Sequence, residues 1–150
     1  MSEYVGTLFQ LGSTPILEQA MQFNEARHRL VLSNIANADT PGYRRQDLDQ
    51  VRFSEMLGDA IRARDEEHPG SFFMREDVRV PISDPYSFVP GKWFRDARND
   101  GPLRHDENNV SVEREMALLA QNAGAYQTYS QLLKKNYDQM RSAITERAEG

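Results

Sequence analysis

The sequence predicts a mainly α fold: long N- and C-terminal helices pairing as a coiled coil, with an irregular middle segment that has room for one short β element. Three observations predict it. Toward the C-terminus, Val112, Met116, Leu119, Ala123, Tyr126, Ser130, Leu133, Tyr137, Met140 and Ile144 follow a 4-3 spacing without a slip, and only Ser130 among them is polar. Toward the N-terminus, a second apolar stripe ends abruptly at Thr40-Pro41-Gly42. Between the two lies a stretch rich in proline and glycine with no helical period. These boundaries divide the chain into a flexible N-terminus (1–12), a helix, turn and short helix (13–65), a variable loop-rich insert (66–108) and a C-terminal heptad helix (109–150).

The N-terminal helix is expected from Gly12 to about Ala38. Ser13 suits an N-cap and Pro15 the first turn, where a missing N–H costs nothing. Leu17, Met21, Val31, Ile35 and Ala38 fall on a 4-3 spacing, interrupted by Asn24 and His28, while Ile16, Ala20, Phe23 and Leu30 form a second stripe beside it. A broad face with polar breaks suits several neighbours better than one tight core. Pro41 disfavours the α conformation at Thr40, and Thr40-Pro41-Gly42-Tyr43 reads as a type II turn in which Gly42 supplies φ > 0. Downstream, Phe53, Met56, Leu57, Ala60 and Ile61 share one face of a short helix from about Phe53 to Arg64, with Ser54 as its cap.

The insert carries Pro69, Pro81, Pro85, Pro90 and Pro102, with Gly70, Gly91 and Gly101 between them. Val78, Val80 and Ile82 alternate with Arg79 and Pro81, which reads as one short strand kept to a sheet edge by its proline. Phe72, Phe73, Tyr86, Phe88, Trp93 and Phe94 form either a small satellite core or an aromatic contact surface.

The C-terminal helix, Val110 to Arg147, would be about 57 Å long at 1.5 Å per residue. No compact domain of 150 residues contains such a helix, so it must pair along its length. Asn109 or Ser111 can cap it, and Glu113 and Glu115 lie in the first turns, where the dipole favours acids. Gly124, between Ala123 and Ala125, reads either as a small-residue patch open to close approach by another helix or as a glycine simply tolerated in a helix stabilised by packing.

Composition removes several function classes. With 39% hydrophobic residues and a mean hydropathy of −0.72, the chain either stays partly open or buries apolar surface against other subunits. A net charge of −5 argues against nucleic acid, whose phosphates demand a surplus of Lys and Arg. No apolar run approaches a membrane span, so no membrane insertion is expected. Met1-Ser2-Glu3-Tyr4 has neither the basic nor the apolar region of a cleaved signal peptide. Cysteine is absent, which removes disulfides and thiolate chemistry together. His28, His68 and His105 lie in separate zones, and His105-Asp106-Glu107 reads as a solvated cluster, not a metal site. Asp47 and Asp49 read as ordinary surface acids. No phosphate loop, dinucleotide fingerprint or nucleophile elbow occurs. No catalytic residue, metal or cofactor is expected.

Leu32-Ser33-Asn34-Ile35-Ala36-Asn37-Ala38-Asp39-Thr40-Pro41-Gly42-Tyr43 closely resembles the signature of the flagellar axial proteins, the family of rod, hook and hook-associated subunits. The continuation Arg44-Arg45-Gln46-Asp47-Leu48-Asp49 looks most like its proximal rod members. Asn109-Val110-Ser111-Val112-Glu113-Arg114-Glu115-Met116 resembles the start of the family's C-terminal helix, and Leu132-Leu133-Lys134-Lys135 with Met140-Arg141-Ser142-Ala143-Ile144 resembles its end. The likeness covers roughly 13–65 and 106–147; the insert has no counterpart in it.

The resemblance implies a structural subunit whose paired terminal helices form the inner wall of a hollow axial tube. It implies passage through the flagellar type III export apparatus to a periplasmic rod, without a cleaved signal. Copies of itself and other rod and rod-base proteins are the implied partners. The surfaces expected to work in assembly are Leu17, Met21, Phe23, Val31, Asn34, Ile35, Asn37, Asp39, Pro41, Gly42 and Tyr43 in the N-terminal helix and turn, and Val112, Met116, Leu119, Ala123, Tyr126, Leu133, Tyr137, Met140 and Ile144 along the seam. Asn34 and Asn37 read as register-setting hydrogen-bonders at the turn or between subunits, or as caps of their own helix. The competing reading is a cytoplasmic helical-hairpin adaptor or export chaperone that holds one partner on the same seam.

Overall fold

The computed structural model describes residues 13–66, 94–95 and 103–148. Helix α1 spans Thr14–Ala36. Its first turn holds Pro15, but Ser13 takes helical angles (φ −88°, ψ −4°) and makes no side-chain cap. The Ser13 carbonyl instead accepts the Leu17 N–H at 3.0 Å, and its hydroxyl accepts from Asn136 Nδ2 at 2.7 Å. After Ala36 the helix unwinds through a short turn to the expected type II turn. There the Tyr43 N–H reaches the Thr40 carbonyl at 3.2 Å, and Gly42 has φ +73°. A Cβ on Gly42 would meet no neighbouring atom, so the demand for glycine is purely conformational.

An extended run leads to β1 (Asp47–Leu48), which pairs antiparallel with β2 (Phe94–Arg95), Asp47 opposite Arg95 and Leu48 opposite Phe94. The strand expected at Val78–Ile82 and the aromatic side chains of the insert lie outside the described residues. Helix α2 spans Gln50–Glu66. It begins before the expected Phe53 because Asp49 caps it: Asp49 Oδ1 accepts the Arg52 N–H at 2.9 Å, and its carbonyl accepts the Phe53 N–H at 3.0 Å. Ser54, expected as the cap, sits inside the helix, donating to the Val51 carbonyl at 2.7 Å. In the first turn, Gln50-Val51-Arg52, the one apolar residue, Val51, points to solvent and is off the buried stripe, so the true start is hidden.

Helix α3 spans Val112–Ala148. Ser111 serves as its cap: its hydroxyl accepts the Arg114 N–H at 3.4 Å, and its carbonyl accepts the Glu115 N–H at 3.0 Å. Helices α1 and α3 run antiparallel. Asn34 meets Glu115 at one end, Asn24 meets Asn122 midway, and Ser13 meets Asn136 at the other. The paired long helices expected from the sequence are therefore present.

The apolar core is small. Phe23 of α1 stacks on Phe53 of α2, ring centroids 4.0 Å apart and planes inclined by 11°. Ala26 and Leu48 are buried with them, and Leu30, Met56 and Leu57 close the cluster. Burying a side chain of this size contributes roughly 1.5–3 kcal/mol. Among the described residues, no helix is long and apolar enough to cross a membrane.

Candidate functional site: a buried polar knot and an open seam

The segment that resembles a family signature closes into a knot at the head of the α1–α3 pair. Asn34, fully buried, uses both ends of its amide. Nδ2 donates to the Gln46 carbonyl at 2.7 Å and to Glu115 Oε2 at 3.0 Å. Oδ1 accepts from the Tyr43 hydroxyl at 3.1 Å and from the Gln46 N–H at 3.0 Å. One side chain thus ties the end of α1, the chain beyond the turn and the start of α3. Asn37 does the other thing expected of asparagine here, capping its own helix by donating to the Ser33 carbonyl at 2.8 Å.

Beneath Asn34 lies a row of alternating charges. Arg45 is buried, its side chain 1% exposed, and bonds Glu115 through Nε and Asp47 at 2.9 Å. Arg27 reaches the other Asp47 oxygen at 3.1 Å. Asp47 is therefore no surface acid, which corrects the expectation. Arg45 and Asp47 are two apart in an extended run, so both point to the same side, inward. Burial pushes the Asp47 carboxyl up, but Arg27 and then Arg45 outweigh it, and the net displacement is below the usual carboxylate range. Burial likewise pulls the Arg45 guanidinium down, and its bonds to Glu115 and Asp47 overcome this, so it ends above its ordinary value. The knot sets two basic side chains against two acidic ones.

The loop before α3 locks the turn from the other side. Asn108 Nδ2 lies 2.9–3.0 Å from the carbonyls of Asn37, Ala38 and Thr40, while its Oδ1 accepts the Val110 N–H at 2.7 Å. Asn109, expected as a helix cap, instead accepts the Arg45 N–H at 2.7 Å. The Gly42 N–H reaches the Asp106 carbonyl at 2.8 Å. The two strings that carry the family resemblance, remote in sequence, thus bind each other in space.

The seam lies differently. Positions on α3 that turn inward are Glu115, Leu118, Asn122, Ala125 and Tyr129, all buried or half-buried. They stand one residue ahead of Met116, Leu119, Ala123, Tyr126 and Ser130, a rotation of about 100° around the helix. Seam residues are consequently left open: Met116 is 54% exposed, Tyr126 45% and Ile144 52%, with Val112, Ala123 and Tyr137 also exposed. Leu119, Leu133 and Met140 are half-buried. On α1, Phe23 and Val31 are buried, Leu17, Met21 and Ile35 half-buried. In the turn, Asp39, Pro41 and Gly42 face solvent while Tyr43 is half-covered.

Sequence reasoning missed Arg27, Arg45, Glu115 and Asn108 in these roles. For Arg45 and Glu115 the available signal was membership of the two motif strings, and for Arg45 also the shared parity with Asp47; Arg27 and Asn108 lie outside the strings. Among the described residues no group of three acidic or histidine side chains could hold a metal ion.

No protein-family model matches the chain. It is 29% identical over 134 residues to the "Flagellar basal body rod protein FlgB" of Aquifex aeolicus, covering 89% of this chain and 94% of that relative. The protein of the same name from Bacillus subtilis is 29% identical, again with 89% and 94% covered. That of Salmonella typhimurium is 30% identical over 110 residues, 73% of this chain and 76% of its own length.

Proposed function

The chain belongs to the FlgB family of flagellar basal body rod proteins, and from that premise we propose that it is a subunit of the proximal rod whose copies and neighbours build a helical, hollow axial tube. It is a structural component of the flagellar basal body, not an enzyme. In the proposed tube it transmits torque and lines the passage for exported subunits. Its partners there are further copies of itself and the other rod and rod-base proteins. It reaches the periplasm through the flagellar type III export apparatus.

The observation that carries this reading is the open seam. Much of the apolar heptad stripe on α3, including Val112, Met116, Tyr126 and Ile144, is exposed although the same helix is already paired with α1. Left in water, such a stripe is a contact waiting for a neighbour. A patch on one copy that meets a different patch on the next generates an open helical array instead of a closed ring. The knot supplies what a torque-bearing subunit needs beside the seam: a turn fixed by many bonds of definite direction.

The test is complementation of a strain lacking this protein with Met116→Glu/Tyr126→Glu. The reading expects deletion to stop rod growth, and the variant to be exported yet missing from purified basal bodies. Normal rods containing the variant would overturn it. A defined soluble dimer at micromolar concentration that never grows would instead point to an adaptor.

A further inference from the structure

The face that α3 turns toward α1 is less apolar than the face beside it. Glu115, Leu118, Asn122 and Ala125 point in, whereas Met116, Leu119, Ala123 and Tyr126 lie one position on. Apolar burial alone would favour turning α3 by that one position and hiding the seam in the chain's own interface. Something polar must hold the other arrangement. At the head of the pair this is the knot. A helix held at one end can still twist below it.

The second hold is a reciprocal amide clamp. Asn24 Nδ2 donates to the Asn122 carbonyl at 2.9 Å, and Asn122 Nδ2 donates to the Asn24 carbonyl at 2.9 Å. Both residues are buried, at 7% and 4% exposure. They sit ten residues along α1 from Asn34, about 15 Å below the knot. The clamp is not optimised for stability: among the described residues, Asn122 Oδ1 is buried with no hydrogen-bond partner. A buried asparagine pair that retains such a penalty has a known physical use, selecting one helix register over more stable alternatives.

We propose that Asn24 and Asn122 fix the rotation of α3 against α1 and thereby keep the Met116–Tyr126 seam facing outward. They are positioning residues: they touch no neighbour, and they decide which face a neighbour meets. The biological use of this rests on the rod reading above; the conformational claim does not.

The chain has no cysteine, so one introduced thiol reports on one face. Maleimide labelling rates are compared for Met116→Cys (outward) and Ala125→Cys (inward), on monomer, with the native asparagines and with Asn24→Leu/Asn122→Leu. With the asparagines, position 116 should label several-fold faster than 125, since Met116 is exposed and Ala125 half-buried. In the leucine pair, with helicity preserved by circular dichroism, that ratio should collapse or invert. An unchanged ratio would overturn the proposal. Asn24→Ala/Asn122→Ala is run in parallel, and loss of helicity in both pairs would also overturn it, since the amides would then hold the fold instead of choosing a face. If the ratio collapses but these variants still build normal rods, the clamp stands and the seam's role in the rod fails.

Discussion

Asn34 joins four groups from three segments, and removing it should be felt at all of them. Asn34→Ala leaves the Gln46 backbone, the Tyr43 hydroxyl and the fully buried Glu115 carboxylate each short of a partner. At about 1–3 kcal/mol per buried group left unpaired, a loss of roughly 3 kcal/mol or more is expected in urea unfolding. Asp47 gives a pH signature. Its folded pKa lies below its ordinary value, so its contribution is present above the unfolded pKa of about 4 and is lost as pH falls through the folded value. Unfolding should therefore steepen below about pH 4, and Asp47→Asn should remove part of that acid dependence. It should also lower stability by roughly 3 kcal/mol at neutral pH, because the buried Arg45 and the half-buried Arg27 lose their shared acid. A flat response of Asp47→Asn at pH 7 would show the pair to be energetically idle. Tyr137 works in the opposite direction. Burial, and then its bond to Glu18 at 3.1 Å, raise its pKa, so that contact holds below about pH 10 and is lost as pH rises through the folded value.

At the scale of the elements, period and punctuation made the three helices legible. Helix α1 was bounded by Pro15 and Thr40-Pro41-Gly42, and α3 by Ser111 and an unbroken heptad. The start of α2 was not, because Asp49 caps a turn whose one apolar residue, Val51, faces solvent, and the stripe begins only at Phe53. The knot was hidden for a different reason. Charge and amide side chains read as surface when taken singly, and only the fold brings Arg27, Arg45, Asp47 and Glu115 from three segments into one row. A heptad stripe reveals that a helix has a seam but not what fills it, which is why α3 pairs internally through the face next door. Two substitutions test these elements by thermal or urea unfolding. Phe53→Ala removes the ring stacked on Phe23 and should destabilise by about 3 kcal/mol or more. Gly42→Ala meets no steric neighbour, yet should cost about 1–2 kcal/mol because alanine resists φ +73°. An effect near zero for Gly42→Ala would mean that the turn relaxes.

At the scale of the whole molecule, the division of labour is between a head that is finished and a flank that is not. The head, where the two motif strings bind each other, has its polar groups satisfied and needs no neighbour. The flank keeps a stripe of large apolar side chains in water beside a small core. Such a molecule has apolar surface left over that the proposed assembly would bury. The most direct measurement is site-specific cross-linking in intact basal bodies, with a photoreactive side chain substituted at Tyr126. The account predicts bands joining this chain to an adjacent rod subunit, whether another copy or a different rod protein. Cross-links confined within single chains would contradict it.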